Sequence, residues 1–160
     1  RWGETFATRR NGLELHLIGP LQTNKAKDAV ALFDVIQTLD REKLVRAILK
    51  AADHVGRMPR LMVQVNIGKE DQKSGVMPDD LGPFLDRLHS EYDLTPCGLM
   101  CIPPIGEPAA PHFWQMETLV SRFGLSELSM GMSADFEIAI PFGATHVRVG
   151  SALFGARGYT

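Results

Sequence analysis

Short apolar runs alternate with segments of helical periodicity along the chain. Each apolar run ends at a polar or glycine-containing turn, which is typical of a buried strand. The pattern predicts strands at 13–18, 34–39, 61–66, 95–100, 128–130 and 146–149. It predicts helices at 24–32, 81–92 and 134–142, one that follows Asp40 as N-cap and ends at Val55, and one from Pro111 to Phe123 with Gly124 as its cap. The tail of a further helix is predicted at 2–9.

Strict alternation of strand and helix predicts an α/β fold with a parallel sheet covered by helices. An open doubly wound sheet is one alternative, but residues 19–22 after the first strand lack a glycine-rich fingerprint. The other is a (β/α)8 barrel of the TIM type, which needs eight strands and at least about 200 residues. We therefore expect one or two β-α units to precede Arg1. Residues 1–160 are then a single barrel domain that is incomplete at its N-terminus.

The composition narrows the class of partner. The chain has 160 residues, is 44% hydrophobic and carries a formal net charge of −2, so it predicts one domain with a sizeable core and no nucleic-acid or membrane partner. No apolar run approaches the ~20 residues of a membrane span, and no signal peptide is visible. Cys97 and Cys101 match no common zinc spacing and are predicted to be buried, reduced thiols. These features favour a cytoplasmic location.

The strongest candidate chemistry lies in the last third of the chain. Residues 128–135 and 146–151 each predict a strand, followed by a Gly/Ser turn and the start of a helix. Backbone N–H groups and a serine hydroxyl at such turns form a cradle for phosphate, and the loops after the last two strands of a (β/α)8 barrel often do this. With Arg148 beside the second turn, the pair predicts a phosphorylated small molecule at the barrel mouth.

Several other residues have two interpretations. His16 and Asn66 are predicted at strand ends, pointing toward the mouth, where they could line the ligand. His16 could equally be a core histidine with satisfied hydrogen bonds. Arg148 could pair with a carboxylate at the rim instead of a ligand. The loop 68–75 is either a mobile lid or a plain solvated loop.

Six segments of the chain, taken together, resemble one known family. They are HLIGPLQTNK at 16–25, VQVN at 63–66, QKSG at 72–75, GLMCIPP at 98–104, SMGMSADF at 129–136 and RVGSALFG at 148–155. As a set they are similar to the pyridoxal phosphate (PLP) homeostasis proteins, single-domain relatives of the barrel domain of bacterial alanine racemase. The resemblance implies a (β/α)8 barrel that binds PLP as cofactor at the carboxyl ends of its strands.

The resemblance also implies roles for particular residues. Ser133, Gly150 and Ser151 would surround the phosphate, with Ser129 and Met130 nearby, and Arg148 would face the pyridine nitrogen. In the family the lysine that attaches PLP lies at the end of the first barrel strand, which would precede Arg1. None of the lysines at 25, 27, 43, 50, 69 and 73 lies in a motif that matches this attachment site.

The expected function is PLP and vitamin B6 homeostasis, meaning buffering or delivery of the cofactor without robust catalytic turnover. A guanidinium can only donate hydrogen bonds, so Arg148 would favour an unprotonated ring nitrogen, which stabilises carbanions poorly. The alternatives are a fold-type III PLP racemase or decarboxylase, and a barrel that binds another phosphate ester. We expect no second domain to supply the opposing acid/base of a racemase. The expected partners are PLP and PLP-dependent apo-enzymes, and the expected state is a monomer.

Overall fold

The computed structural model describes residues 12–155 and contains six strands there. They are β1 (His16–Leu17), β2 (Val35–Leu39), β3 (Arg60–Val65), β4 (Gly98–Cys101), β5 (Glu127–Met132) and β6 (His146–Arg148). The helices are α1 (Ala26–Leu32), α2 (Glu42–Val55), α3 (Leu81–Tyr92), α4 (Ala109–Arg122), α5 (Phe136–Ala139) and α6 (Ser151–Phe154). Single 3₁₀ turns at Thr23–Lys25, Pro78–Asp80 and Ile140–Phe142 adjoin α1, α3 and α5.

The strands form one parallel sheet in the order β1 to β6, each paired with its neighbour in sequence. This order contains no reversal, which excludes the doubly wound alternative. The sheet is also strongly curved. In a flat sheet β2 and β5 would be about 14 Å apart, yet Ser129 of β5 hydrogen-bonds to Gln37 of β2 at 2.6 Å. The six strands therefore form part of the wall of a barrel.

The outer face of this wall packs against the helices. Helix α2 shows why, because its apolar residues recur at helical spacing and bury one stripe, whereas its other faces are charged. Alternate strand residues complete the same core, since successive side chains of a strand point to opposite faces. The buried strand residues in this core include Ile36, Leu61, Val63, Val65, Leu99, Leu128 and Met130.

The inner face of the wall is more polar. Gln37, Gln64 and Ser129 are buried there, on strands whose outward residues belong to the helix-facing core. Buried polar groups need hydrogen-bond partners, and all three have them across the interior or to a neighbouring loop. The concave side of the sheet thus carries these three buried polar side chains.

Two predicted helix starts were wrong. Helix α2 begins at Glu42 with Arg41 as its N-cap residue, and Asp40 accepts a hydrogen bond from the Arg41 side chain instead of capping the helix. Helix α4 begins at Ala109, so Pro111 lies inside its first turn. Proline is tolerated there because the first-turn N–H groups have no intrahelical partner.

Prolines also explain two other differences in length. The predicted helix at 134–142 is divided into α5 and a 3₁₀ turn, because Pro141 has no N–H to continue the helix. Strand β4 begins at Gly98 rather than residue 95, after Pro96, which cannot donate to the sheet.

Strand β5 is longer than predicted, at Glu127–Met132, and β1 is shorter. The helix tail predicted at 2–9 lies outside the described residues.

Both cysteines are free thiols, as predicted, and Cys101 is buried, but the prediction that Cys97 is buried was wrong, since its side chain, just before β4, is only half-buried. Burial raises the pKa of Cys97 to about 11 and that of Cys101 to about 12. Both sulfurs are therefore protonated near neutral pH and poorly nucleophilic. Between residues 12 and 155, no helix is both long enough and apolar enough to span a membrane.

Candidate ligand-binding site

The turns after β5 and β6 meet at the carboxyl edge of the sheet. The Ser133 hydroxyl oxygen, after β5, accepts hydrogen bonds from the N–H groups of Gly150 at 3.1 Å and Ala152 at 3.3 Å, after β6. Ser133 is partly exposed, and Gly150 and Ser151 are exposed. Two main-chain donors thus converge on one oxygen atom, which is the arrangement that a phosphate oxygen requires. We call Ser133 and residues 150–152 the cradle.

The first turn of the cradle depends on a glycine. Gly131 has φ +89°, and a Cβ atom there would lie 2.9 Å from the Cα of Phe136. Beyond it, the Asp135 carboxylate accepts a hydrogen bond from the Met132 N–H at 2.6 Å, and the Asp135 N–H donates to the Met132 carbonyl at 3.0 Å. These bonds hold the turn closed, so that Ser133 is presented toward the turn after β6.

Arg148 ends β6 and is held on the inner face of the wall. Its Nη1 donates to the Ser129 hydroxyl at 2.7 Å, and its Nη2 donates to the Cys101 carbonyl at 2.7 Å. Both acceptors are neutral, and within residues 12–155 no carboxylate forms an ion pair with Arg148, which contradicts the rim-carboxylate alternative. Burial lowers the pKa of Arg148, but a guanidinium keeps its proton in proteins. Among the described side chains, the nearby charge of Asp135 opposes this lowering of the pKa without forming an ion pair with Arg148.

Ser129 and Met130 occupy different surroundings from the cradle. The side chain of Ser129 is completely buried. Its hydroxyl donates to the side-chain oxygen Oε1 of Gln37 at 2.6 Å and accepts from Arg148. The side chain of Met130 is buried in the core between the sheet and the helices. Ser129 therefore helps to hold Arg148 in place, and the Met130 side chain packs in the core.

Asn66 organises the loop that follows β3. Its Nδ2 donates to the carbonyls of Glu70 at 2.7 Å and Lys73 at 3.3 Å, and its Oδ1 accepts from the Glu70 N–H at 3.1 Å. Gln64 fixes the same loop from the strand by donating to the Ser74 carbonyl at 3.0 Å. The loop 68–75 is therefore tied to the strand end through several hydrogen bonds.

His16 does not lie at the mouth, where the sequence suggested it. It pairs with Val35, the first residue of β2, and so lies at the amino ends of the strands. Its ring nitrogens contact Glu14 at 2.7 Å and Gln37 at 2.7 Å, and its ring centroid is 5.3 Å from that of His146. This placement agrees with the alternative interpretation, a histidine whose hydrogen bonds are satisfied inside the fold.

A charged cluster at the amino ends of the strands was not anticipated. Arg60 pairs with both Glu14 and Glu127, and His146 lies 3.9 Å from Glu127. The signal was available in the sequence, because charged residues directly precede two of the predicted apolar strands, at Arg60 and Glu127. The cluster lies at the strand ends opposite the cradle, so we assign it a structural role.

The half-buried position of His146 makes stability depend on pH. Burial lowers its pKa, so between the unfolded value of about 6.5 and the lower folded value the unfolded chain binds more protons. Stability is therefore expected to fall by a few degrees of melting temperature as the pH decreases from about 8 to about 5.5. His146→Asn should flatten this dependence, whereas His89→Asn, on the exposed face of α3, should keep it. Equal pH dependence in the wild type and His146→Asn would contradict this assignment.

The fold and the site together define a class of protein: a parallel barrel-type domain in which the cradle joins two adjacent strand ends and an arginine lies on the inner face of the wall. The family model for the alanine racemase N-terminal domain matches residues 1–158. The chain is 37% identical over 165 residues to the pyridoxal phosphate homeostasis protein of Pasteurella multocida, covering 97% of this chain and 71% of the relative. It is 41% identical over 154 residues to that of Pseudomonas aeruginosa, covering 92% and 66%.

A solved structure agrees with these relatives. PipY of Synechococcus elongatus with PLP bound is 36% identical, with a TM-score of 0.81, and the match covers 95% of this chain and 76% of that one. The chain therefore belongs to the pyridoxal phosphate homeostasis protein family, within the alanine racemase N-terminal domain family. The resemblance seen in the sequence motifs is confirmed.

Proposed function

We propose that this protein binds PLP, with the phosphate in the cradle and Arg148 at the ring nitrogen. The observation that supports this most is the convergence of the Gly150 and Ala152 N–H groups on a single oxygen atom. Ser133 and Ser151 would add hydroxyl donors to those main-chain groups. The names of the relatives and the PLP bound to PipY support the choice of PLP among phosphorylated ligands.

We further propose that the protein buffers or delivers PLP without robust turnover. The cofactor, when bound, supplies an electron-withdrawing ring whose strength depends on protonation of its nitrogen. Arg148 can only donate a hydrogen bond to that nitrogen and so keeps it unprotonated. Incubation with each L-amino acid should give no sustained formation of the D-enantiomer, and such formation would favour the racemase alternative.

The wider role follows from the same proposal. Residues 1–160 belong to one domain, whose complete form is a closed (β/α)8 barrel. The protein acts as a monomer in the cytoplasm and passes PLP to PLP-dependent apo-enzymes.

The cradle is tested by comparing PLP with pyridoxal, which lacks the phosphate. The double variant Ser133→Ala with Ser151→Ala is expected to bind PLP about tenfold to 100-fold more weakly, since it loses two donors to a charged group. Its affinity for pyridoxal should remain that of the wild type. Equilibrium dialysis with absorbance detection of the cofactor measures both.

A matched control is Ser121→Ala, at an exposed position of α4 far from the cradle in the fold. It should bind both ligands as the wild type does. Unchanged PLP affinity in the double variant, or equal losses for PLP and pyridoxal, would remove these serines from the phosphate site.

A further inference from the structure

Five polar side chains, from Arg148 to Glu14, form one continuous hydrogen-bonded chain through the interior. Arg148 Nη1 donates to the Ser129 hydroxyl at 2.7 Å, and this hydroxyl lies 2.6 Å from Gln37 Oε1. Gln37 Nε2 lies 2.7 Å from His16 Nδ1, and His16 Nε2 lies 2.7 Å from Glu14 Oε1. The chain thus connects the arginine of the ligand site to the charged cluster at the opposite strand ends.

The direction of every bond in this chain follows from two groups with fixed roles, the Arg148 guanidinium, which only donates, and Gln37 Oε1, which only accepts. The Ser129 oxygen therefore accepts from Arg148, and its single hydrogen goes to Gln37 Oε1. The Gln37 amide nitrogen then faces His16 and donates to Nδ1. This leaves the His16 proton on Nε2, where it is donated to Glu14. Each donor meets one acceptor, and the bonds run in one sense from a cation to a carboxylate.

The central links of the chain are sealed from solvent. Gln37 is 1% exposed and Ser129 is 0% exposed. The two residues come from β2 and β5, which are separated by two strands in the sheet, so their contact spans the concave interior. Because water has no access to replace a lost partner, removing the Gln37 amide leaves the Ser129 hydroxyl without its acceptor.

We propose that Gln37 is a positioning residue for Arg148. By taking the Ser129 hydrogen, it turns the serine lone pair toward Nη1, and His16 in its Nε2-protonated form holds the Gln37 amide in the required orientation. The inference rests on the proposed function, in which Arg148 meets the ring nitrogen of PLP. Without Gln37, the Ser129 hydroxyl has no fixed acceptor and is free to rotate, so its bond to Arg148 is weakened and only the bond to the Cys101 carbonyl still fixes the guanidinium.

The test uses the preference of the protein for PLP over an analogue in which a C–H group replaces the ring nitrogen. The wild type should prefer PLP by about tenfold, the worth of one hydrogen bond from a charged donor. Gln37→Met keeps the length of the side chain but removes both amide functions. It should reduce the preference to about twofold or less while leaving affinity for the analogue unchanged. If Gln37 served only in packing, Gln37→Met would weaken the binding of both ligands equally.

The matched control is Gln64→Met, at a buried glutamine on the same face whose amide bonds to the loop carbonyl of Ser74 instead. It should keep the wild-type preference. Ser129→Ala cuts the chain at the next link and should reproduce the loss, so it serves as the second variant where Gln37→Met does not fold. Gln37→Glu, whose carboxylate can still accept from Ser129, should recover part of the preference.

The outcomes separate the inference from the proposed function. A wild type that binds both ligands equally would refute the contact between Arg148 and the ring nitrogen, and the positioning role with it. A wild type that discriminates, with the preference intact in Gln37→Met and Ser129→Ala, would overturn the positioning role alone. An equal loss of preference in Gln64→Met would also overturn it, because the effect would then be a general loosening of the inner face.

Discussion

Replacing Gly98 by alanine is expected to lower the free energy of unfolding by about 3 kcal/mol. Gly98 begins β4 and pairs with Glu127 at the start of β5. A Cβ atom at this position would lie 2.0 Å from the Glu127 carbonyl oxygen and 2.5 Å from its carbonyl carbon. Main-chain atoms of a paired strand cannot move aside as a flexible side chain can, so the two strands must separate.

Thermal or urea unfolding of Gly98→Ala measures this effect, which corresponds to a decrease of about 10 °C in melting temperature. Gly19→Ala is the matched control, because a Cβ atom there meets nothing within 4 Å. It should leave the stability nearly unchanged. If the two variants had equal stability, the close approach of β4 and β5 at Gly98 would be refuted.

The architecture was predictable because strand and helix patterns are local. Alternating apolar runs and amphipathic stretches predicted the six strands and their parallel arrangement, which the structure confirms. The exact ends of the strands depend on contacts between strands, so the sequence predicted them less well. The start of β5 is an example, because the pairing of Glu127 with Gly98 is a tertiary contact that periodicity cannot register.

The candidate site was predictable to the extent that it consists of turns. Ser133 and Gly150 lie in local Gly/Ser patterns, and the structure brings the two turns together. The support beneath Arg148 was not predicted, since Gln37 and Ser129 are 92 positions apart in sequence. One signal was present: a glutamine within the predicted buried strand 34–39 must find a hydrogen-bond partner. Sequence alone does not say which partner.

Arg148→Ala is expected to weaken PLP binding by about tenfold to 100-fold, because it removes the charged donor that we assign to the ring nitrogen. Pyridoxal carries the same ring nitrogen, so its affinity should fall by the same factor. This distinguishes the arginine from the cradle serines, whose loss affects PLP alone. Binding of the two ligands to Arg148→Ala, measured beside the serine double variant, therefore separates recognition of the ring from recognition of the phosphate.

Two further variants make the role of the guanidinium specific. Arg148→Lys keeps the charge but offers a single donor point, so it cannot hold the Ser129 hydroxyl, the Cys101 carbonyl and a ligand in the same planar geometry. It should restore only part of the affinity. Arg46→Ala, at an exposed position of α2, should bind both ligands normally. Full affinity in Arg148→Ala would place the ring nitrogen elsewhere, whereas loss of PLP with pyridoxal unaffected would move Arg148 from the ring to the phosphate.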